Sequence, residues 1–339
     1  MNITILNLAR KGGTAKYGAW LTAALQPYGN LTYIRSSNSD YQVPGVTNHA
    51  IFTGATSLQN IVATCNPVSH IKLYNFIVAS NPDILIVPAY HDWLLPQLKH
   101  SKCPTIFVVH DPLPHNGDSK YRNQLQQLCI KASSKPVVLS SIFLSTVPGA
   151  VMIPHGSFAL TPVPTKVPQT KTLLFTGRMQ QYQGLDLLIP AFKTSLLQHP
   201  DLKLIIAGKN APDIKHPAIT CISKWLTDQE QADLCVQASI VVIPYTEATQ
   251  SGVIALAQSL GRPVIATNVG GLPEQIEAGK TGWICEPNIQ SLSNTIVKAV
   301  QQQESLNSMG YSGWELYNTR FSWPTIAKQF ITECQHILK

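Results

Sequence analysis

Between Ser239 and Gly271 the chain reads as a device for holding an anion. Ser239-Ile240-Val241-Val242-Ile243-Pro244 is a short, unalternating β-branched run, the pattern of a parallel strand buried on both faces. A loop containing Glu247 follows. Thr249-Gln250-Ser251-Gly252 then opens a helix through Val253, Ile254, Leu256, Ala257 and Leu260. The small residues at its start leave N–H groups exposed, and with the helix dipole they favour a phosphate without identifying it. Gly261 ends the helix, Pro263 to Ala266 reads as the next strand, and Gly270-Gly271 allows a tight turn beside its end. Arg178 stands just past another strand, Thr172 to Phe175, where its planar guanidinium can fork onto phosphate oxygens.

The first half carries its own candidates. Lys11-Gly12-Gly13-Thr14 follows the strand Ile3 to Leu6, and the two glycines let a backbone approach a ligand closely. His110-Asp111-Pro112 caps the strand Thr105 to Val109 at the end where open α/β sheets bind ligands. A histidine that merely caps a turn is the competing reading. Tyr90-His91-Asp92-Trp93 offers aromatic and polar groups that could line a binding site, with Trp93 equally suited to the core. His115 and Asp118 lie close to His110 in sequence, but the histidines and carboxylates show no ligand spacing, so no metal is expected.

These residues need a scaffold of parallel sheets. Strand-like runs at Ile84 to Val87, Pro136 to Leu139, Leu202 to Ala207 and Val264 to Ala266 join those above, with helical segments between them. The 339 residues and 44% hydrophobic content suffice for two cores. The expected division is an N-terminal Rossmann-like domain at 1–158, a proline-rich linker at 159–170 that includes Pro162, Pro164 and Pro168, and a C-terminal Rossmann-like domain at 171–320. A last helix at 321–339 is expected to return to the first domain. A formal charge of +7 suits an anionic partner or simply solubility. There is no dense basic run interleaved with aromatics, so nucleic acid is not expected. The seven cysteines are scattered and read as reduced thiols. The apolar start lacks the parts of a secretory signal, and no run approaches about twenty apolar residues. The expectation is a cytoplasmic protein, with peripheral association at the inner face of a membrane left open.

Taken in order, Phe175-Thr176-Gly177-Arg178, Gly184 to Leu188, Ile205-Ile206-Ala207-Gly208, Val242-Ile243-Pro244, Gly261 to Thr267, Val269-Gly270-Gly271 and Gly279 to Gly282 resemble a known family. It is that of the retaining, nucleotide-sugar-dependent glycosyltransferases of the GT-B fold, in the large group that includes glycogen and sucrose synthases. Gly12-Gly13 and His110-Asp111 extend the resemblance over nearly the whole chain. It implies an α/β protein of two Rossmann-like domains facing across a cleft. It also implies a nucleoside diphosphate sugar as co-substrate, no other cofactor, and a saccharide or lipid-linked acceptor. On the family's pattern Arg178, His110 and Glu247 serve catalysis, and Gly12, Gly13, Gln183, Gln250, Ser251 and Gly252 help bind the donor. Tyr90, His91 and Asp111 lie on the acceptor side. The leaving phosphate itself assists the incoming hydroxyl, so neither a metal nor a protein nucleophile is implied.

Three positions depart from the pattern. A lysine usual before the glycine is Gln183 here, with Lys209 as a candidate substitute. Two usual glutamates fall on Ala248 and Leu256, with Glu247 one residue out of register. The stretch Ala248 to Val253 resembles that of a polysaccharide-assembly branch. The alternatives are a catalytically silent GT-B partner subunit that binds nucleotide-sugar or glycan, and a nucleotide-sugar epimerase.

Overall fold

The computed structural model describes residues 1–113, 119–159 and 163–339, the side chain of Ser57 excepted. His115, Asp118 and Pro162 therefore lie outside the described residues. Two compact units emerge, Met1–Pro154 with Trp323–Lys339, and His155–Ser322.

Unit 1 runs β1 (Asn2–Asn7), α1 (Gly12–Leu25), β2 (Asn30–Ser36), β3 (Thr47–Ile51), α2 (Ser57–Cys65), α3 (Pro67–Ala79), β4 (Ile84–Val87), α4 (Leu94–Lys99), β5 (Thr105–Val109), α5 (Lys120–Ala132), β6 (Lys135–Val138) and β7 (Val151–Met152). Unit 2 runs β8 (Thr172–Thr176), α6 (Leu185–Leu196), β9 (Lys203–Ala207), β10 (Ile219–Ile222), α7 (Asp228–Gln237), β11 (Ile240–Ile243), α8 (Gly252–Ser259), β12 (Val264–Thr267), β13 (Gly282–Cys285), α9 (Ile289–Gln301) and α10 (Leu306–Leu316). The last helix, α11 (Trp323–Ile337), belongs to unit 1, where Trp323 meets Tyr17 of α1 edge-on at 5.2 Å.

Both sheets are parallel throughout, in the orders β3-β2-β1-β4-β5-β6-β7 and β10-β9-β8-β11-β12-β13. The β-branched runs account for this: every residue of β4, β5, β8, β11 and β12 is buried, because helices cover both faces. Strand order reverses between β1 and β4 in unit 1 and between β8 and β11 in unit 2, the position at which open α/β sheets bind ligands.

The expected boundary at 158, with a stiff extended linker at 159–170, shifts in the structure. The division falls after Pro154, and the described part of 155–170 is fastened to unit 2. Arg262, fully buried, does the fastening. Its guanidinium donates to the Thr165 carbonyl at 2.8 Å, the Thr165 hydroxyl at 2.6 Å and the Lys166 carbonyl at 3.3 Å, while also holding Cys235 and Val236 carbonyls at the end of α7. Val167 N–H donates to Asn307 Oδ1 at 2.8 Å. A fork with five donors satisfies many carbonyls at once, which proline-rich backbone cannot do for itself.

Candidate functional site

In unit 2 the carboxyl ends of β8, β9, β11 and β12 are joined backbone to backbone. A Cβ on Gly208 would stand 1.8 Å from the Gly177 carbonyl oxygen, one on Gly184 1.8 Å from that of Pro244, and one on Gly270 1.7 Å from that of Ala248. Only glycine fits these crossings, and Gly184 and Gly270 also need φ of +69° and +52°. Gly177 N–H donates to the Ala207 carbonyl and Gly271 N–H to that of Ala248, closing the loops further.

Within this frame most polar groups bind one another. Gln183 is 6% exposed; its Nε2 donates to the Tyr245 hydroxyl at 2.9 Å and its Oε1 accepts from Gln180 N–H at 3.1 Å. Burial pushes the Tyr245 phenol up in pKa, partly opposed by Gln183, by the Ser251 hydroxyl and by Arg178. The Ser251 hydroxyl acts on that phenol without a fully formed hydrogen bond. Ser251 N–H donates to Gln275 Oε1 at 2.8 Å, Gln275 Nε2 returns a bond to the Ser251 carbonyl at 3.0 Å, and Gln258 Nε2 donates to the Gln275 carbonyl. The N-terminus of α8 is thereby fixed from the side by amides, and carries no side-chain cap or first-turn acid.

The sequence reading gives Ser251, Gln183 and Gln250 to the donor, and here each has an internal partner. The Ser251 amide, expected to hold a phosphate, is taken by Gln275, whereas among the described residues the Gly252 N–H has no internal partner. Gln183 acts as a buried brace. Gln250 is likewise engaged, its Oε1 accepting from His155 N–H at 2.7 Å. Glu247 is exposed, and Leu256, at one usual glutamate position, is 4% exposed within the core.

Two cations stand apart from this network. Arg178 and Lys209 are exposed, and among the described residues neither makes a hydrogen bond or ion pair. Each directly follows a glycine of the Gly177/Gly208 crossing, so the backbone brings them together at the ends of β8 and β9. Two charged donors held there in part solvent suit a diphosphate. His155 was not singled out as a site residue. Its ring carbon Cε1 lies 3.5 Å from where a Gly252 Cβ would be, and its edge meets Phe158. The histidine between Pro154 and Gly156 was the available signal, obscured by the prolines after it.

Unit 1 offers a cavity of about 780 Å³ at the ends of β1 and β4, lined by Arg10, Lys11, Thr14, Asn38, Asp40, Asn60, Thr64, Tyr90, His91, Asp92 and Arg122 among others. The Tyr90 hydroxyl donates to Asp92 Oδ1 at 2.9 Å, Arg122 lies 3.6 Å from the same oxygen and stacks over the Tyr90 ring. Burial holds the His91 imidazole down at about 4, against the weaker pull of Asp92, so it is neutral near pH 7. Trp93 is a core residue, its indole N–H donating to Thr64 Oγ1. Lys11 precedes the open start of α1, where a Cβ on Gly12 or Gly13 would meet nothing within 4 Å.

Tyr90 and His91 thus line this cavity, whereas Asp111 is not among its walls; the Asp111 carbonyl accepts from Gln126 Nε2. His110 Nε2 is 2.8 Å from the Pro88 carbonyl. A carbonyl only accepts, so that nitrogen carries the proton and Nδ1 is the acceptor of the neutral ring. Burial lowers its pKa, with the Pro88 bond opposing. Among the described residues no group of three or more His, Cys, Asp or Glu side chains is placed to hold a metal ion.

Residues 170–302 match the family described as Glycosyl transferases group 1. The chain is 30% identical over 178 residues to the D-inositol 3-phosphate glycosyltransferase of Corynebacterium aurimucosum, and 31% identical over 176 residues to that of Corynebacterium glutamicum. Each match takes in 47% of this chain and 42% of the relative, so the chain spans less than half of the curated relatives it matches. Among solved structures, HepE from Anabaena in complex with UDP and glucose aligns with a TM-score of 0.76 at 17% identity over 99% of both chains. Sucrose-phosphate synthase from Thermosynechococcus elongatus aligns at 0.77 and 17% over 98% of both. These likenesses establish the fold: α/β, of the GT-B type, with two Rossmann-like units.

Proposed function

We propose that the chain is a retaining glycosyltransferase that moves a sugar from a nucleoside diphosphate donor to a saccharide or lipid-linked acceptor without a metal. The observation that carries the reading is the pair of unpartnered cations Arg178 and Lys209 at the switch-point end of the unit 2 sheet. The match of residues 170–302 to a glycosyltransferase family and the printed names of the relatives support the reaction class.

The donor diphosphate lies against unit 2. Arg178 and Lys209 neutralise the charge that grows on the departing phosphate, and the Gly252 N–H at the start of α8 donates to one of its oxygens. Because the buried amides around Ser251 are already paired, the Gly252 N–H is held before substrate arrives. The freed phosphate oxygen takes the proton of the acceptor hydroxyl as that hydroxyl attacks from the same face, which retains the anomeric configuration. The acceptor lies in the unit 1 cavity, whose threonines, asparagines and Asp40 suit a polyhydroxylated head. His110 is a positioning group for the transferred sugar. The protein works in the cytoplasm.

Incubation with UDP-, GDP- and ADP-sugars, with saccharide and lipid-linked acceptors, tests this. The expected result is an acceptor product with the donor's anomeric configuration, formed equally in EDTA. Nucleotide binding without turnover would make the chain a silent partner subunit, and an isomerised donor would make it an epimerase.

A further inference from the structure

Helix α2 is built inside out. Its large apolar residues Leu58, Ile61 and Val62 share one face, and they are 71%, 62% and 62% exposed. An amphipathic helix of a water-soluble surface turns such a stripe to the core. Here the opposite, polar face turns inward: Asn60 and Thr64, one turn apart, line the unit 1 cavity. Helix α3 continues the outer face with Val68 at 67% and Ile71 at 58% exposed, while Leu73 and Ile77 anchor its other side in the core. A contiguous apolar face of this kind on consecutive helices marks a docking surface.

Its surroundings select the occupant. No Asp or Glu lies between Asp40 and Asp83, a stretch that includes both helices. Lys72 lies on α3 with its ammonium 5.5 Å from the Phe76 ring, and a shallow hollow brings Tyr74 and Val78 of α3 together with His100 and Lys102 beyond α4. An apolar face on helices that carry no Asp or Glu, with Lys72 on it and Lys102 beside it, complements the acyl and headgroup layers of an anionic membrane. No helix of the described residues is long and apolar enough to cross a bilayer, so the contact is peripheral.

We propose that α2 and α3 seat the protein on an anionic lipid surface, and that the cavity on the inner side of α2 takes the head of a lipid-linked acceptor whose chain stays in that membrane. The second half of this rests on the transferase reading; the first does not. Sedimentation of the whole chain with phosphatidylcholine vesicles containing roughly 30% phosphatidylglycerol tests the docking alone. Wild-type protein should pellet, and L58Q/I61Q/V62Q should partition about tenfold less or weaker still. Those side chains are exposed, so the variant should keep the wild-type circular dichroism; V68Q/I71Q on α3 provides an independent second variant. K72Q/K102Q should lose the preference for anionic over neutral vesicles.

Wild-type protein left in the supernatant, or both apolar variants pelleting like wild type, would overturn the docking. So would light scattering that shows a wild-type dimer made monomeric by L58Q/I61Q/V62Q, since the face would then meet a second copy. Activity separates the two readings. With a water-soluble saccharide acceptor the apolar variants should turn over like wild type, whereas with an acceptor lipid in vesicles they should be slower. Equal rates on the vesicle-borne acceptor would remove the lipid-linked assignment. Vesicle binding without transfer to any acceptor would leave the docking and remove the transferase reading.

Discussion

The two sheets share one topology, yet their ligand ends are built on opposite plans. In unit 2 the loops after four strands cross with backbones in contact and buried amides bind one another, while among the described residues Arg178, Lys209 and the Gly252 N–H are left without such a partner. In unit 1 the corresponding loops stand apart around a cavity of about 780 Å³, whose walls keep hydroxyls, amides and ionisable groups facing the space. The first plan fixes the backbone from which two exposed cations project, which suits the proposed diphosphate. The second leaves many weak partners around a volume, as recognising a polyol requires.

The largest effect expected from this contrast is on catalysis. Arg178→Ala should lower turnover by a factor on the order of 10²–10³ while thermal unfolding stays within error, because the side chain is exposed and holds nothing in the fold. Lys209→Ala should weaken nucleoside diphosphate binding, by about tenfold in titration calorimetry. Wild-type turnover in the first variant would take the phosphate away from β8.

Next comes stability. Gly270→Ala forces a Cβ to within 1.7 Å of the Ala248 carbonyl oxygen at a positive φ, and should cost about 3 kcal/mol in denaturant unfolding. Gly13→Ala, with nothing within 4 Å of its Cβ, should stay within about 0.5 kcal/mol. Equal sensitivity at the two glycines would erase the distinction between a closed and an open loop set.

Gln183→Lys sharpens the same point. A lysine there has the family's usual charge, and from sequence it promises tighter nucleotide binding. In the structure it removes the partners of Tyr245 and of Gln180 N–H and places an ammonium where exposure is 6%, so a loss of about 2–3 kcal/mol and no gain in affinity are expected. Melting and nucleotide titration of the one variant separate brace from ligand.

The strands that sequence reveals are those buried on both faces, such as Ile84–Val87 and Ile240–Ile243, because burial imposes an unbroken apolar run. Missed were β2, NLTYIRS, which mixes polar with apolar residues; the edge strands β3, TNHAI, exposed along most of its length, β10, ITCI, and the two-residue β7; and β13, GWIC, hidden behind a glycine motif that reads as a turn. In the site, Arg178 and the glycine turns were legible because chemistry and backbone sterics each restrict the residue type. The roles of Gln275, Gln258 and His155 were not, because an amide that braces a loop has no distinguishing spacing, and its partner lies 17 to 95 residues away. The fastening of 165–166 by Arg262 escaped for the same reason: the arginine sits about a hundred residues on, within a motif already explained otherwise.

The smallest predicted effect is electrostatic and belongs to the open site. Burial holds His91 near 4 in the folded protein, against about 6.5 in an unfolded chain. Above pH 6.5 the ring is neutral in both states and costs nothing. Between 6.5 and 4 the unfolded chain binds a proton that the folded protein refuses, so stability falls as pH falls, by an amount on the order of 2 kcal/mol. His110, also lowered by burial, acts in the same direction, so replacing His91 should flatten the slope without abolishing it. Asp92 and Arg122 face His91 with opposite effects, the carboxylate raising its pKa and the guanidinium lowering it. Asp92→Asn should therefore depress the ring further and leave the loss spread across the same interval down to a lower pH. Unfolding free energies of wild type, His91→Gln and Asp92→Asn, measured from pH 7 to pH 4, check each sign. A wild-type slope unchanged by His91→Gln would mean that the ring is solvated, and that the cavity between β1 and β4 admits water freely enough to titrate its own walls.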